Sequence, residues 1–140
     1  MLTRILSKTE KEIFGANIAL VLDFNDVAAA TSTVAATPTS VLAGTKAQVV
    51  GLKLVTAFDI TGTGNLTVSV GDGNSATALM AAVQVAVDNT EILYHIGGSA
   101  YVYLVDDTID IFWTASSMAY TSGKLVLYLS IADMNEWPIA

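Results

Sequence analysis

His95 is the only histidine in the chain, and imidazole is the side chain that most often acts as a general base near neutral pH. It lies in an apolar run between Tyr94 and Ile96. A catalytic histidine needs a nucleophile and an orienting carboxylate, and the chain has no Gly-x-Ser-x-Gly motif to supply the nucleophile. We interpret His95 as an ordinary strand residue and predict no catalytic residues and no enzymatic activity.

Carboxylates are the next candidates for chemistry, because their oxygens are the ligands that hard cations such as Ca²⁺ prefer. The segment 72–74 (Asp-Gly-Asn) forms one group, and Asp106 and Asp107 with Asp110 form another. Neither group has the spacing of an EF-hand, and Asp and Gly also occur in turns for conformational reasons alone. We favour the turn interpretation and predict no metal and no cofactor.

Aromatic residues could stack on sugar rings, but in a β-rich chain they more often fill the core and pair across strands. We favour the structural interpretation and keep sugar stacking as an alternative. The aromatic residues concerned are Tyr94, Tyr101, Tyr103, Phe112, Trp113, Tyr120 and Tyr128.

The charge distribution excludes two classes of partner. The chain has 13 acidic and six basic residues, a net charge of −7, and no Lys or Arg lies between Lys53 and Lys124. Nucleic acids and anionic membranes are bound by clustered cations, so we expect neither as a partner. The glycine-rich segments 62–64 and 71–73 lack the lysine of a phosphate-binding loop.

The composition describes a single domain that buries much of its surface. The 140 residues contain no cysteine, which excludes disulfides and thiolate chemistry. Hydrophobic residues make up 53% of the chain and charged residues only 14%, fewer than soluble domains usually have. Ser and Thr must therefore coat part of the surface, or other subunits must cover it. Charges between Lys8 and Glu12 interrupt a secretory h-region, so we expect synthesis in a cytoplasm.

Alternation of apolar and polar residues predicts strands along most of the chain. A weaker Ala/Thr-rich strand is expected over 27–34, ended by Pro38, and a short helical turn is expected near 76–81. Together these features predict an all-β, jelly-roll-like antiparallel β-sandwich. The predicted strands number about eight: 17–24, 49–59, 66–70, 82–88, 91–96, 101–105, 109–114 and 125–131.

The segments 49–59 and 66–70 are joined by a short link containing Gly62-Thr63-Gly64, which predicts an antiparallel hairpin. The first segment is apolar on nearly both faces except at Lys53, which is typical of a strand covered on both sides. In the second segment, Val68 and its apolar neighbours lie on one face of the predicted strand, and the hydroxyl-bearing residues lie on the other. Ser122-Gly123 is expected to form the turn that opens the last strand.

Residues 1–14 differ from the sandwich domain predicted over 15–140. Leu2, Ile5 and Leu6 have helical spacing, and a capping box over 7–10 would instead start a helix at Lys8. The segment is either a frayed terminus or an arm that docks on a neighbouring subunit. Residues proposed for subunit contacts are Leu2, Ile5, Leu6 and Trp137.

The chain resembles the small β-sandwich structural proteins of tailed-phage virions, which include head decoration (cement) proteins and head-fibre or tail proteins. Segments 49–59 and 62–73 resemble their hairpin of a hydrophobic strand, Phe-Asp, Gly-Thr-Gly, a second strand and Gly-Asp-Gly. Segment 122–130 is similar to their closing strand, which follows a Ser-Gly turn. The resemblance implies a jelly-roll-like subunit, usually a homotrimer, that binds the major capsid protein or another virion protein.

We therefore expect a structural protein of a phage virion, made in the host cytoplasm and assembled into the particle. The favoured function is capsid decoration, in which an oligomer binds and stabilises the head shell. The alternative is a receptor- or carbohydrate-binding module of a phage fibre or tail. A small enzyme is a third possibility, for which the residues offer no positive support.

Overall fold

The computed structural model describes residues 2–4, 8, 15–23, 33–61, 66–85, 92–95, 100–115 and 119–133. Their strands form two antiparallel sheets that pack face to face, which confirms the predicted all-β sandwich. The ten strands are β1 Leu2–Arg4, β2 Ile18–Asp23, β3 Thr33–Val41, β4 Thr45–Thr61, β5 Leu66–Gly71, β6 Met80–Val85, β7 Ile92–His95, β8 Tyr101–Val102, β9 Asp107–Ala115 and β10 Ala119–Asp133.

The six-stranded sheet is organised around its two longest strands, β4 and β10, which pair along most of their lengths. Its strand order is β1-β2-β10-β4-β7, and β8 also pairs with β4 beyond the end of β7. β1 lies at the opposite edge, so Leu2–Arg4 belongs to a strand that pairs with β2 of the same chain. A helix through this part of the N-terminal segment is therefore not formed.

The four-stranded sheet has the order β3-β9-β5-β6. β3 is an edge strand, and its register against β9 shifts between Ala36 and Thr39. Pro38 lies within this shift, because a residue without an N–H is tolerated at an edge or a bulge. The prediction that Pro38 ends a strand over 27–34 was therefore wrong: β3 runs through Pro38 to Val41, and residues 27–32 lie outside the described residues.

The expected hairpin of β4 and β5 does not exist, because the two strands belong to different sheets. β4 pairs with β10, β7 and β8, whereas β5 pairs with β9 and β6. The chain therefore crosses between sheets after Thr61 and before Leu66. A short glycine-containing link permits a hairpin but does not require one, and the apolar face of each strand is buried equally well in opposite sheets.

The core lies between the two sheets and consists of aliphatic side chains from both. Leu52 and Leu54 of β4 and Leu127 of β10 face Val68 and Ile111 of the other sheet, and all five are fully buried. Val49 is buried in the same core as Leu52, although strict alternation would place them on opposite faces. A register shift against β10 at this point of β4 changes which residues face inward.

A second apolar cluster covers the outer face of the six-stranded sheet. Ala19, Val126 and Tyr128 are at most 3% exposed, and the partly buried Val21 and Val50 pack against them. The predicted cover on both faces concerned the strand that is now β4, and there the outward-facing Val50 and Val55 are only partly buried. The burial of Ala19, Val126 and Tyr128 arises within a single chain, so no neighbouring subunit is needed to explain it.

Two local predictions were wrong. The helical turn near 76–81 is absent: Ala76 and Thr77 lie in a turn, and Met80 begins β6. Alanine's helix propensity is a weak preference, and so short a helix is unstable without packing of its own. Ser122 and Gly123 lie inside β10, where the register shifts on both sides and Gly123 has φ 145°, so they form a bulge and not a turn.

Candidate functional site

Three chain segments meet at the end of the sandwich where β3 ends and β4 begins. They are residues 42–44, 72–79 and 101–107, and we call this region the loop end. Backbone hydrogen bonds join two of these segments, because the Gly44 N–H donates to the carbonyl of Tyr103 at 2.7 Å and the Tyr103 N–H donates to that of Thr45 at 2.9 Å. The loop end is therefore fixed by the same kind of interaction that holds the sheets together.

The segment 42–44 forms a tight turn that opens β4. The Thr45 N–H donates to the carbonyl of Leu42 at 3.1 Å, and the Ala43 N–H donates to Oδ1 of Asp106 at 2.8 Å. Gly44 has φ 88°, a conformation that glycine adopts without steric cost. The turn holds Leu42 at the tip of the sandwich, beside the segment 103–106.

Asp72 is the best-connected side chain of the loop end and is only 3% exposed. Its Oδ1 accepts hydrogen bonds from the N–H groups of Asn74 at 2.8 Å and Ser75 at 2.7 Å, which is the turn geometry that aspartate favours. Its Oδ2 accepts a 2.6 Å hydrogen bond from the hydroxyl of Tyr101. Asp72 therefore ties the segment 72–79 to β8.

The hydrogen bond from Tyr101 is the largest cause of a lowered pKa at Asp72, and the N–H groups of Asn74 and Ser75 lower it further. Desolvation by burial acts in the opposite direction and is outweighed. The same hydrogen bond, followed by burial and by the charges of Asp72 and Asp107, raises the pKa of Tyr101. At neutral pH the pair is therefore a carboxylate and a neutral phenol, the states that their hydrogen bond requires.

Gly71 allows the segment 72–79 to fold back onto β5. A Cβ atom at this position would lie 1.8 Å from the carbonyl oxygen of Ser75, closer than any side chain can approach. That carbonyl accepts a 3.0 Å hydrogen bond from the N–H of Asp72. Glycine is thus required by a close approach of two backbone segments and not by an unusual φ.

A second aspartate network links β9 to the same segment. Oδ1 of Asp107 accepts hydrogen bonds from the N–H groups of Thr108 at 2.8 Å and Gly73 at 3.1 Å. The hydroxyl of Thr108 donates its one proton to Oδ1 of Asp110 at 2.9 Å, in preference to a 3.4 Å approach to Asp107. These bonds fix the start of β9 against the turn that contains Asp72.

Tyr103 connects the loop end to the core. It is 2% exposed, its ring packs edge-to-face on that of Tyr101 with centroids 4.9 Å apart, and its hydroxyl donates to the carbonyl of Thr108 at 3.1 Å. Burial, aided by the neighbouring carboxylates, raises the pKa of Tyr103. The edge-to-face pair adds about 0.5–1.5 kcal/mol to the interactions that hold the segment 101–103 in place.

The rigid loop end carries an exposed apolar surface, which we call the apolar patch. Leu104 is 87% exposed, Leu42 is 67% exposed, and Val105 and Val102 are 62% and 44% exposed. Among the residues whose side chains the structure describes, these are the exposed large hydrophobic ones, and all of them lie at the loop end. Large apolar side chains concentrated at one place on a surface indicate an interaction site.

The carboxylates of the loop end bind N–H and O–H donors. Asp72, Asp106 and Asp107 each accept at least one hydrogen bond from a backbone N–H. Among the described residues, no three side chains of His, Cys, Asp or Glu are grouped so as to hold a metal ion. The turn interpretation describes Asp72, whereas Asp107 and Asp110 of the second group lie in β9.

Of the residues proposed from sequence for subunit contacts, the structure describes Leu2 alone. Leu2 lies in β1, and Ile5, Leu6 and Trp137 lie outside the described residues. His95 is the last residue of β7 and pairs with Gly51.

Of the aromatic side chains that are described, Tyr103 and Tyr128 are buried, and Tyr101 and Phe112 are partly exposed. Sequence reasoning missed Leu42, Leu104 and Val105. The one feature of the sequence that could have indicated them is the Leu-Val pair directly before the turn residue Asp106.

Within the described residues, no helix has the length and apolar character to cross a membrane. Comparison of the chain with protein-family models, with curated proteins and with solved structures found no match. A functional interpretation must therefore be built on the loop end and on the sequence.

Proposed function

We propose that this chain is a structural protein of a phage virion, a capsid decoration protein that binds the head shell as an oligomer. The observation that carries the proposal is the apolar patch, whose side chains stand on loops held by hydrogen bonds. A rigid loop surface on a β-sandwich loses little conformational entropy when it binds, so its buried area is converted efficiently into affinity. The virion assignment itself rests on the resemblance in sequence of segments 49–59, 62–73 and 122–130, because the hairpin and the Ser-Gly turn that belong to this resemblance are not formed.

The size of the patch fits a decoration protein that works as an oligomer. Complete burial of a Leu or Val side chain contributes about 1.5–3 kcal/mol, so four partly exposed side chains would contribute roughly 5 kcal/mol per copy. Association costs about that much or more, so one patch alone would bind weakly. A homotrimer of jelly-roll-like subunits would present three patches to the shell, and avidity would then give stable attachment.

The test is a comparison of phage particles with and without this chain. Heads assembled without it should lack surface density in electron micrographs and should release DNA at a lower temperature or on milder osmotic shock. Adding back the purified protein should restore both the density and the stability. Equal stability, with no missing density, would overturn the proposal.

A further inference from the structure

We propose that the loop end binds a protein other than a second copy of this chain, at an apolar recess rimmed by lysine or arginine side chains. The claim that this partner belongs to the capsid shell rests on the proposed function. The chemistry of the recess rests on the loop end alone.

The apolar part of the inference follows from shape and exposure. Leu42 and Leu104 project from two adjacent segments that are joined through Ala43 to Asp106 and through Gly44 to Tyr103. They are the most exposed large apolar side chains that the structure describes. Two highly exposed leucines on segments that are hydrogen-bonded to each other are complementary to an apolar recess, in the way that anchor residues fill pockets at protein interfaces.

The cationic rim follows from the charge around the patch. Asp106 is exposed and Asp107 is half-buried, directly after Leu104 and Val105 in sequence. Lys46, half-buried opposite Val102 on the neighbouring strand, is the cation that the described strands bring to this end. Aspartates therefore outnumber cations beside the patch, and a partner surface gains affinity and association rate by carrying the opposite charge.

The same charges argue against self-association through this end. A two-fold contact between loop ends would place Asp106 of each copy near Asp106 of the other, in chains whose net charge is already −7. Juxtaposed like charges disfavour a contact. Any contact between copies of this chain is therefore expected elsewhere on the sandwich.

The first experiment measures binding of the purified full chain to heads that lack it, by co-sedimentation, for the wild type, Leu104→Ser and Asp106→Asn. Leu104→Ser should weaken binding about 10-fold or more, because an exposed anchor is lost without disturbing the fold. Asp106→Asn keeps the oxygen that accepts the Ala43 hydrogen bond and removes the charge. It should flatten the dependence of binding on NaCl between about 50 mM and about 500 mM. Ala82→Ser, at an exposed position of β6, is the matched control and should bind like the wild type.

The second experiment needs no heads. Retention on a hexylamine mixed-mode resin, which presents an apolar chain beside a cation, should fall for Leu104→Ser and for Asp106→Asn but not for Ala82→Ser. Light scattering should give one and the same oligomeric state for all four proteins.

The outcomes separate the two proposals. In one outcome, the wild type fails to bind heads but Leu104→Ser still loses retention on the resin. This result would refute the decoration function and support the proposed chemistry of the patch. Wild type and Leu104→Ser that bind heads equally would overturn the inference and leave the function standing. Unchanged retention on the resin, or an oligomer that dissociates on Leu104→Ser, would also overturn it.

Discussion

Replacing Gly71 with alanine should destabilise the protein more than the same change at any other glycine whose surroundings the structure describes. The new Cβ would lie 1.8 Å from the Ser75 carbonyl oxygen and 2.6 Å from the Ala76 carbonyl carbon, whereas ordinary contacts begin at 3.4 Å. Both atoms belong to the backbone, so rotating a side chain cannot relieve the overlap. The backbone at Ser75 and Ala76 would have to move away from Gly71 and Asp72 by roughly 1.5 Å.

That movement breaks the hydrogen bond from the Asp72 N–H to Ser75 and weakens those that the Asp72 carboxylate accepts from Asn74 and Ser75. A neutral hydrogen bond contributes about 1 kcal/mol and one to a charged group about 1.5–3 kcal/mol. The expected loss is about 3–4 kcal/mol in the free energy of unfolding. In a chain of this length it corresponds to a decrease in Tm of roughly 10 °C.

The assay is urea denaturation followed by tryptophan fluorescence and far-UV circular dichroism, with two alanine variants as controls. At Gly73 a Cβ would meet only the flexible end of Asp107, 2.8 Å away, and at Gly15 it would meet nothing within 4 Å. Gly15 has φ +62°, so its replacement should cost only about 1 kcal/mol of backbone strain. If Gly71→Ala proves no more destabilising than Gly15→Ala, the argument from close approach is wrong.

The remaining predictions concern the core and the tyrosine–aspartate contacts. Leu127→Ala should cost about 3 kcal/mol, because it leaves a cavity between the sheets, and a loss below about 1 kcal/mol in urea denaturation would contradict the packing described. Tyr101→Phe should cost about 1.5 kcal/mol through the lost hydrogen bond to Asp72, and an unchanged urea midpoint would count against that bond. Because its folded-state pKa is lowered, Asp72 contributes stability that is present above about pH 4 and lost as pH falls through the folded-state pKa. The stability difference between wild type and Asp72→Asn should therefore shrink on acidification from about pH 6 to about pH 2.5, and a constant difference would refute the assignment. Because the pKa of Tyr103 is raised, its contribution is present below about pH 10 and lost above it, so Tyr103→Phe should reduce the alkaline loss of stability seen by circular dichroism.

Strand positions were predictable because alternation is a local property of the chain. Ile18–Asp23, Leu66–Gly71 and the apolar half of β10 lie close to where the pattern predicted them, since a period of two determines which side chains can share a face. Very short strands such as β1 cannot show this period. The Ala/Thr-rich β3, with Pro38 at its irregular point, shows it too weakly.

Strand pairing was not predictable, because a strand forms nearly the same backbone hydrogen bonds with any neighbouring strand. The apolar faces of β4 and β5 are as well buried in opposite sheets as in one hairpin, and only packing of the whole chain decides between these arrangements. The shift that brings both Val49 and Leu52 into the core depends on the register with β10, which is also non-local.

The candidate site divides in the same way. The sequence by itself determined that Asp72 lies at a turn, because a short side chain that bonds its own backbone favours a turn wherever it occurs. Only the tertiary structure decided that Tyr101, 29 positions away, donates its hydroxyl proton to Asp72. It also decided that Leu104 is exposed while Tyr103 beside it is buried. Exposure depends on which segments arrive from elsewhere in the chain to cover a residue, and local residue patterns carry no information about them.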